Sequence, residues 1–240
     1  MSDGFMDFTF GSGDATVGGG NSKRFKAEKD RTYRTTLVWF TDYKEDGTIG
    51  EDANVAFTGC ERLYKQGVGY VLINNSNRQA MLDLLGGKPK QQVATVICVW
   101  PTDRDGELDI HEYKKGKGWK VQPWTFSPDK YHTIGKNNKR FPLIRHDLSL
   151  SCTDAQFQKM TFTPEGENLL LKYLNAKDAG LRKAGLDIIA QARQISKGLK
   201  RDLARDLSVS EVREKLGEDA PSPTGSHTSE NVDALLDDVL

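Results

Sequence analysis

The run VATVICVW, residues 93–100, is the most apolar segment of this 240-residue chain and the one that most narrows its fold. It is short, rich in β-branched residues and shows no polar alternation. Such a segment reads as a central strand buried on both faces rather than as a surface helix. The rest of the chain must supply what covers it.

On either side are shorter β signals. RTYRTTLVWF, residues 31–40, reads as a strand, and Asp46-Gly47 as a hairpin-type turn. GCERLYKQGVGYVLI reads as a loop feeding a strand at 69–73, and residues 76–85 as a short helix ended by Gly86-Gly87. PTDRDG turns the chain, and the alternation of Leu108 and Ile110 continues it as a second hairpin. WKVQPWTFSP, residues 119–128, is expected to be extended, with Pro123 marking an edge or a bulge, and KNNKR to be a polar, basic loop. HDLSLSC, TDAQFQ and KMTFTP suggest a last hairpin-like pair that Pro164 stops.

From Glu165 the period changes. Leu181, Ala184, Ile188, Ala192, Ile195 and Leu199 recur at steps of three or four, the pattern of an amphipathic helix. Ser208 and Glu211 form a capping-box pattern, and Gly217 is placed to end that helix. The expected fold is a mainly β core, an OB-like small barrel of short antiparallel strands, followed by C-terminal helices and a disordered acidic tail. Four regions follow: a flexible Gly/Ser-rich arm at 1–22, the core at 23–164, the helical region at 165–217, and a linker with an acidic amphipathic tip at 218–240. In the arm, Phe5, Phe8 and Phe10 interrupt the glycines, with docking and idle exposure equally open. In the tip, Val232, Leu235, Leu236, Val239 and Leu240 share a helical stripe while Asp233, Asp237 and Asp238 face elsewhere, which suits a segment that becomes helical in a partner's groove.

Charge is distributed unevenly behind a net value of zero. Residues 218–240 carry six acids and no Lys or Arg, so the first 217 residues carry +6. The stretch 111–145 alone holds seven lysines and two arginines against Glu112 and Asp129, a formal charge of +7. Aromatic residues are threaded through it, and cations interleaved with flat π faces are what an unpaired nucleic-acid strand requires. On this reading Trp119, Trp124, Tyr131, Phe141 and Tyr113 stack bases, while Lys114, Lys115, Lys117, Lys120, Lys136, Lys139 and Arg140 contact phosphates. Trp39, Tyr43 and Tyr64 are weaker candidates for the same surface. The competing reading is a lysine-rich hairpin whose aromatics face a β core.

Other chemistries find little support. Walker, GxGxxG, GxSxG and HExxH patterns are absent, so no enzymatic activity, cofactor or metal is expected. Cys60, Cys98 and Cys152 are few and far apart, which suggests neither a disulfide framework nor a zinc site. HDLSLSC, with His146 and Cys152, reads as a strand rather than a Cys-His site, and the acids around Gly106 lack the full calcium-loop pattern. No apolar run approaches bilayer length and the N-terminus lacks a signal peptide's basic start, so a soluble cytoplasmic protein without a membrane partner is expected, in the host cytoplasm if viral.

A basic body of short strands with aromatic, lysine-rich segments, followed by a linker and an acidic amphipathic tip, resembles the single-stranded DNA-binding proteins of bacteriophages. The resemblance covers residues 23–164 loosely and 218–240 more closely. It implies an OB-fold core that coats and protects single strands during DNA replication, recombination and repair. It also implies a tail that recruits replication and recombination proteins or competes with DNA for the groove, and it leaves room for a homo-oligomer. Two features depart from the pattern, namely the long helical region and a tip that ends in aliphatic rather than aromatic residues. Two alternatives stay open: a protein-binding adaptor or transcription regulator acting through residues 165–217 and the tip, and an RNA-binding protein.

Overall fold

The computed structural model of the chain describes residues 5–9, 24–154 and 159–217. Strand β1 spans Phe5–Thr9, β2 Arg31–Leu37, β3 Ala56–Lys65, β4 Gly69–Ile73, β5 Lys90–Val99, β6 Lys120–Phe126, β7 His146–Cys152 and β8 Met160–Glu167. Helices are α1 Arg78–Leu85, α2 Ile110–Lys114, α3 Pro128–Arg140, α4 Leu169–Leu174, α5 Ala179–Ser196, α6 Leu199–Leu203 and α7 Val209–Leu216. The strands form one antiparallel sheet with the path β1-β3-β5-β2-β7-β8, on which β4 also pairs with β3 and β6 with β5. No pairing among the described residues joins β6 to β8, so the sheet is open where a closed barrel was expected.

β5 holds the centre, as its apolar run requires. Along one edge it pairs first with β3 and then with β2, and along the other with β6 from Val93 to Val99. Val93, Ala94, Thr95, Val96, Ile97 and Cys98 are all buried, and because side chains alternate, both faces of the strand must be covered. On the face of Thr95 and Ile97 the cover is aromatic: Trp124 meets Phe25, Phe126 and Phe162, and Phe57 meets Phe126 and Tyr131. On the face of Cys98 it is helical. α4 and α5 pack there through Leu169, Leu170, Tyr173, Ala184, Ile188 and Ala192, all in the main core. The periodic stripe of the helical region is therefore spent on the protein's own sheet.

A second, smaller core holds Leu63, Val68, Val71, Ile73, Met81, Leu85 and Val212. It forms where α1 and α7 close over the β3–β4 hairpin. The turn needs left-handed backbone at Gly67 and Gly69 (φ 83° and 91°), which glycine adopts without strain. The free edge of β4 is covered by the chain after α6, because Arg205 donates to the Tyr70 carbonyl and accepts from the Leu72 amide, both at 2.9 Å.

Beyond the open sheet, five local segments depart from expectation. Residues 56–65 form a ten-residue strand instead of a loop, which turns GCERLYKQGVGYVLI into a hairpin. Residues 110–114 form a helix because Asp109 caps it, accepting from the amides of His111 and Glu112 at 3.0 and 3.1 Å. KNNKR belongs to α3, which Ser127-Pro128 starts with proline in the first turn. β8 runs through Pro164, which is tolerated on a terminal strand beside a register shift. In the arm, residues 5–9 pair with residues 56–60 of β3; residues 10–23, and the linker and tip from 218, lie outside the described residues. At the C-terminal end, the capping box at Ser208 and Glu211 and the left-handed Gly217 form as the sequence reads.

One buried charge fastens the helices to the sheet. Asp147, fully buried, accepts from the Arg34 Nε at 2.8 Å, the Leu169 amide at 3.2 Å and the Thr36 hydroxyl, and that hydroxyl also accepts from the Trp100 indole at 2.7 Å. Burial raises the carboxyl to about 6, although the hydrogen bonds and the Arg34 charge pull it down. A carboxyl raised in the folded state stabilises most below its unfolded pKa, and that contribution is lost as pH rises through 6. Urea unfolding should therefore show the wild type losing roughly 2–3 kcal/mol relative to Asp147→Asn between pH 4 and pH 7. A pH-independent difference contradicts this.

Candidate nucleic-acid interface

β6 separates the residues that the sequence grouped together. At its N-terminal end, Lys114 closes α2 and Lys115 and Lys117 follow it, all three exposed, and Lys120 is the exposed first residue of the strand. Tyr113 stacks on Tyr173 with centroids 4.8 Å apart, and Trp119 is half-buried with its indole nitrogen donating to the Gly116 carbonyl at 2.8 Å. At the other end, α3 exposes Lys136, Lys139 and Arg140, with Phe141 46 % exposed at its C-cap. Tyr131 is half-buried with its ring edge-on to Phe57 at 5.2 Å. Seven strand residues span roughly 20 Å, so these are two basic clusters rather than one groove. Between them Trp124 is only 3 % exposed, with Phe25, Phe126 and Phe162 around it. That corrects its expected role: a base cannot stack on a ring already enclosed by the core.

The exposed aromatic pair lies elsewhere, on the β3–β4 hairpin. Tyr64 and Tyr70 are cross-strand partners, 60 % and 41 % exposed, with ring centroids 5.1 Å apart. Cross-strand partners project from the same face, and the two-glycine turn beyond them leaves their outer side open. Beneath them, the Arg62 guanidinium lies 3.7 Å from the Tyr70 ring centroid. It donates to the Leu203 carbonyl at 2.5 Å and to Gln92 Oε1 at 3.0 Å, while its Nε has no partner among the described residues. Burial lowers the Arg62 pKa, yet a guanidinium remains charged at neutral pH. Lys90 is its register partner on β5, and Arg205 is hydrogen-bonded to the backbone of Tyr70 and Leu72.

Sequence reasoning held Tyr64 as a minor candidate and missed Tyr70 and Arg62. The signal was there: Tyr-Lys-Gln-Gly-Val-Gly-Tyr places two tyrosines symmetrically about a glycine-containing turn. Read as a loop, it gave no reason to pair them.

His146 and Cys152 stand at opposite ends of β7, and His146 Nδ1 lies 3.2–3.3 Å from the carbonyls of Glu165 and Gly166. Asp103 accepts from the amides of Asp105 and Glu107 and so closes its own turn. Among the described residues no group of three or more His, Cys, Asp or Glu is placed to hold a metal, and no helix is long and apolar enough to cross a membrane. No family model, curated protein or solved structure matches the chain.

The placement of Trp124 can be tested directly. Trp124→Ala should destabilise the protein by about 3–5 kcal/mol in urea unfolding, as expected for a large buried aromatic. Removal of a surface stacking residue costs far less, and a loss below about 1 kcal/mol would return Trp124 to the surface.

Proposed function

We propose that this protein binds single-stranded DNA, as the resemblance to phage single-stranded DNA-binding proteins implies, and that Tyr64 and Tyr70 are its main stacking surface. The observation that carries the reading is the tyrosine pair itself, held over a buried guanidinium. Two exposed rings on a rigid hairpin lose little conformational freedom when bases stack on them, and the cation below adds positive potential without obstructing the upper faces. Bases of any identity have a π face, so binding is sequence-tolerant and salt-sensitive.

The open sheet is compatible with an OB-like core in this proposal, with α4 and α5 as an added layer. Phe141 and the exposed lysines flanking β6 are secondary contacts. Residues 218–240 keep their expected part, recruiting replication and recombination proteins or competing with DNA. The adaptor alternative loses ground because the apolar stripe of α5 is buried against the sheet through Ala184, Ile188, Ile189 and Ala192.

Titrating a fluorescein-labelled oligo(dT) by anisotropy at low salt tests the proposal. Tyr64→Ala and Tyr70→Ala should each weaken binding by about 1–3 kcal/mol, roughly 5- to 150-fold, and Tyr64→Ala, which leaves the Arg62–Tyr70 contact intact, should do so with unchanged thermal unfolding. Duplex DNA and RNA serve as competitors. Absence of wild-type binding, preference for duplex, or indifference to both substitutions would sink the reading, and preference for RNA would transfer it to the other nucleic acid.

A further inference from the structure

A second cationic feature is a groove of about 350 Å³ between residues 24–33 and the first half of β6. Arg24, Lys26, Arg31 and Lys120 line it, with one acid, Glu28. Arg31 pairs with Glu28 at 3.1 Å and lies 5.0 Å from the Tyr33 ring centroid, and its Nε is buried without a partner among the described residues. Lys26 and Lys120 are exposed and make no ion pair among the described residues. Four cations facing one acid hold more positive charge than the groove itself neutralises. Small neutral ligands have little to gain there, whereas phosphodiesters do.

Arg24 connects this groove to the tyrosine platform. It lines the groove and also donates to the main-chain carbonyl of Asp202, next to the Leu203 carbonyl that takes Arg62. The end of α6 is thus held between two guanidiniums through neutral carbonyls, which leave the charges in place. The Asp202 carboxylate also faces Arg24 and Arg201; burial raises its pKa while both cations lower it. Arg24 is close enough to Arg62 to act on it as a like charge.

We infer that the single strand follows a continuous track, from Tyr64 and Tyr70 past Arg62 and Arg24 into the groove of Lys26 and Lys120, where its backbone phosphates are held. This rests on the single-stranded DNA reading and adds a second, electrostatic subsite to it. Arg62 is in register with Lys90 and Lys120 with Val99, an odd step that puts the two on opposite faces of the sheet; the track turns round the β6 edge, where the Phe25 amide donates to the Pro123 carbonyl, and advances nine residues along β5. That is roughly 30 Å at about 3.3 Å per residue, a length suited to the roughly 4–16 nucleotides that one OB-type domain covers. The division of labour is physical: the hairpin supplies π faces, and the groove supplies cations.

Salt dependence separates the two subsites. For an oligo(dT) long enough to span the track, log K against log[salt] should be shallower by about 1.4 in Lys26→Ala/Lys120→Ala, about 0.7 for each phosphate that is no longer neutralised. The variant should bind several-fold more weakly at low salt and converge on the wild type at high salt. Tyr70→Ala should instead lower affinity at every salt concentration and keep the slope. Both lysines are exposed, so unchanged thermal unfolding excludes a folding defect. If the double variant keeps the wild-type slope and affinity while Tyr70→Ala weakens binding, the track is overturned and the single-stranded DNA reading stands. If the wild type binds no single strand, the reading fails and the track with it.

Discussion

Strand β5 is buried on both faces, and that decides where a polymer can touch this protein. A strand whose alternate side chains are all apolar needs two layers of cover. The chain builds one from the aromatic cluster around Trp124, Phe126 and Phe57, and the other from α4 and α5. Both central surfaces of the sheet are consumed in this way. What stays exposed is peripheral and includes the tip of the β3–β4 hairpin, the groove beside β6 and the outer face of α3.

The buried Asp147 shows how closely the covering layer is tied down. One carboxylate joins β2 through Arg34 and Thr36, reaches Trp100 through the Thr36 hydroxyl, and caps the start of α4 at the Leu169 amide. Removing such a partner leaves buried donors unsatisfied, which costs more than the contact itself contributes. Farther along, Arg62 and Arg24 fasten the end of α6 in the same manner, through main-chain carbonyls. The helical region is thus an integral layer of the fold, and the last turn of α6 lies beside the proposed track.

Much of this was legible in the sequence, and the failures have physical causes. The central strand, the hairpin-like pair at β7 and β8, the helical period after 165 and the final capping box were readable because each depends on local pattern. Residues 110–114 and 128–140 were misread because capping signals, Asp109 and Ser127-Pro128, were outweighed by apparent alternation and by polar composition. The candidate site suffered most. Charge and aromaticity along 111–145 are contiguous in sequence but not in space, because β6 carries the two ends apart and Trp124 into the core. Conversely, the cross-strand meeting of Tyr64 and Tyr70 depends on register, which becomes visible only once residues 56–65 are known to be a strand.

The central claim is a location, and amide hydrogen exchange with and without a bound oligo(dT) reads location directly. The account predicts added protection at residues 62–72, at 24–28 and at 118–122, with little change in α3. Protection concentrated on residues 131–141, or none at the hairpin, would contradict it.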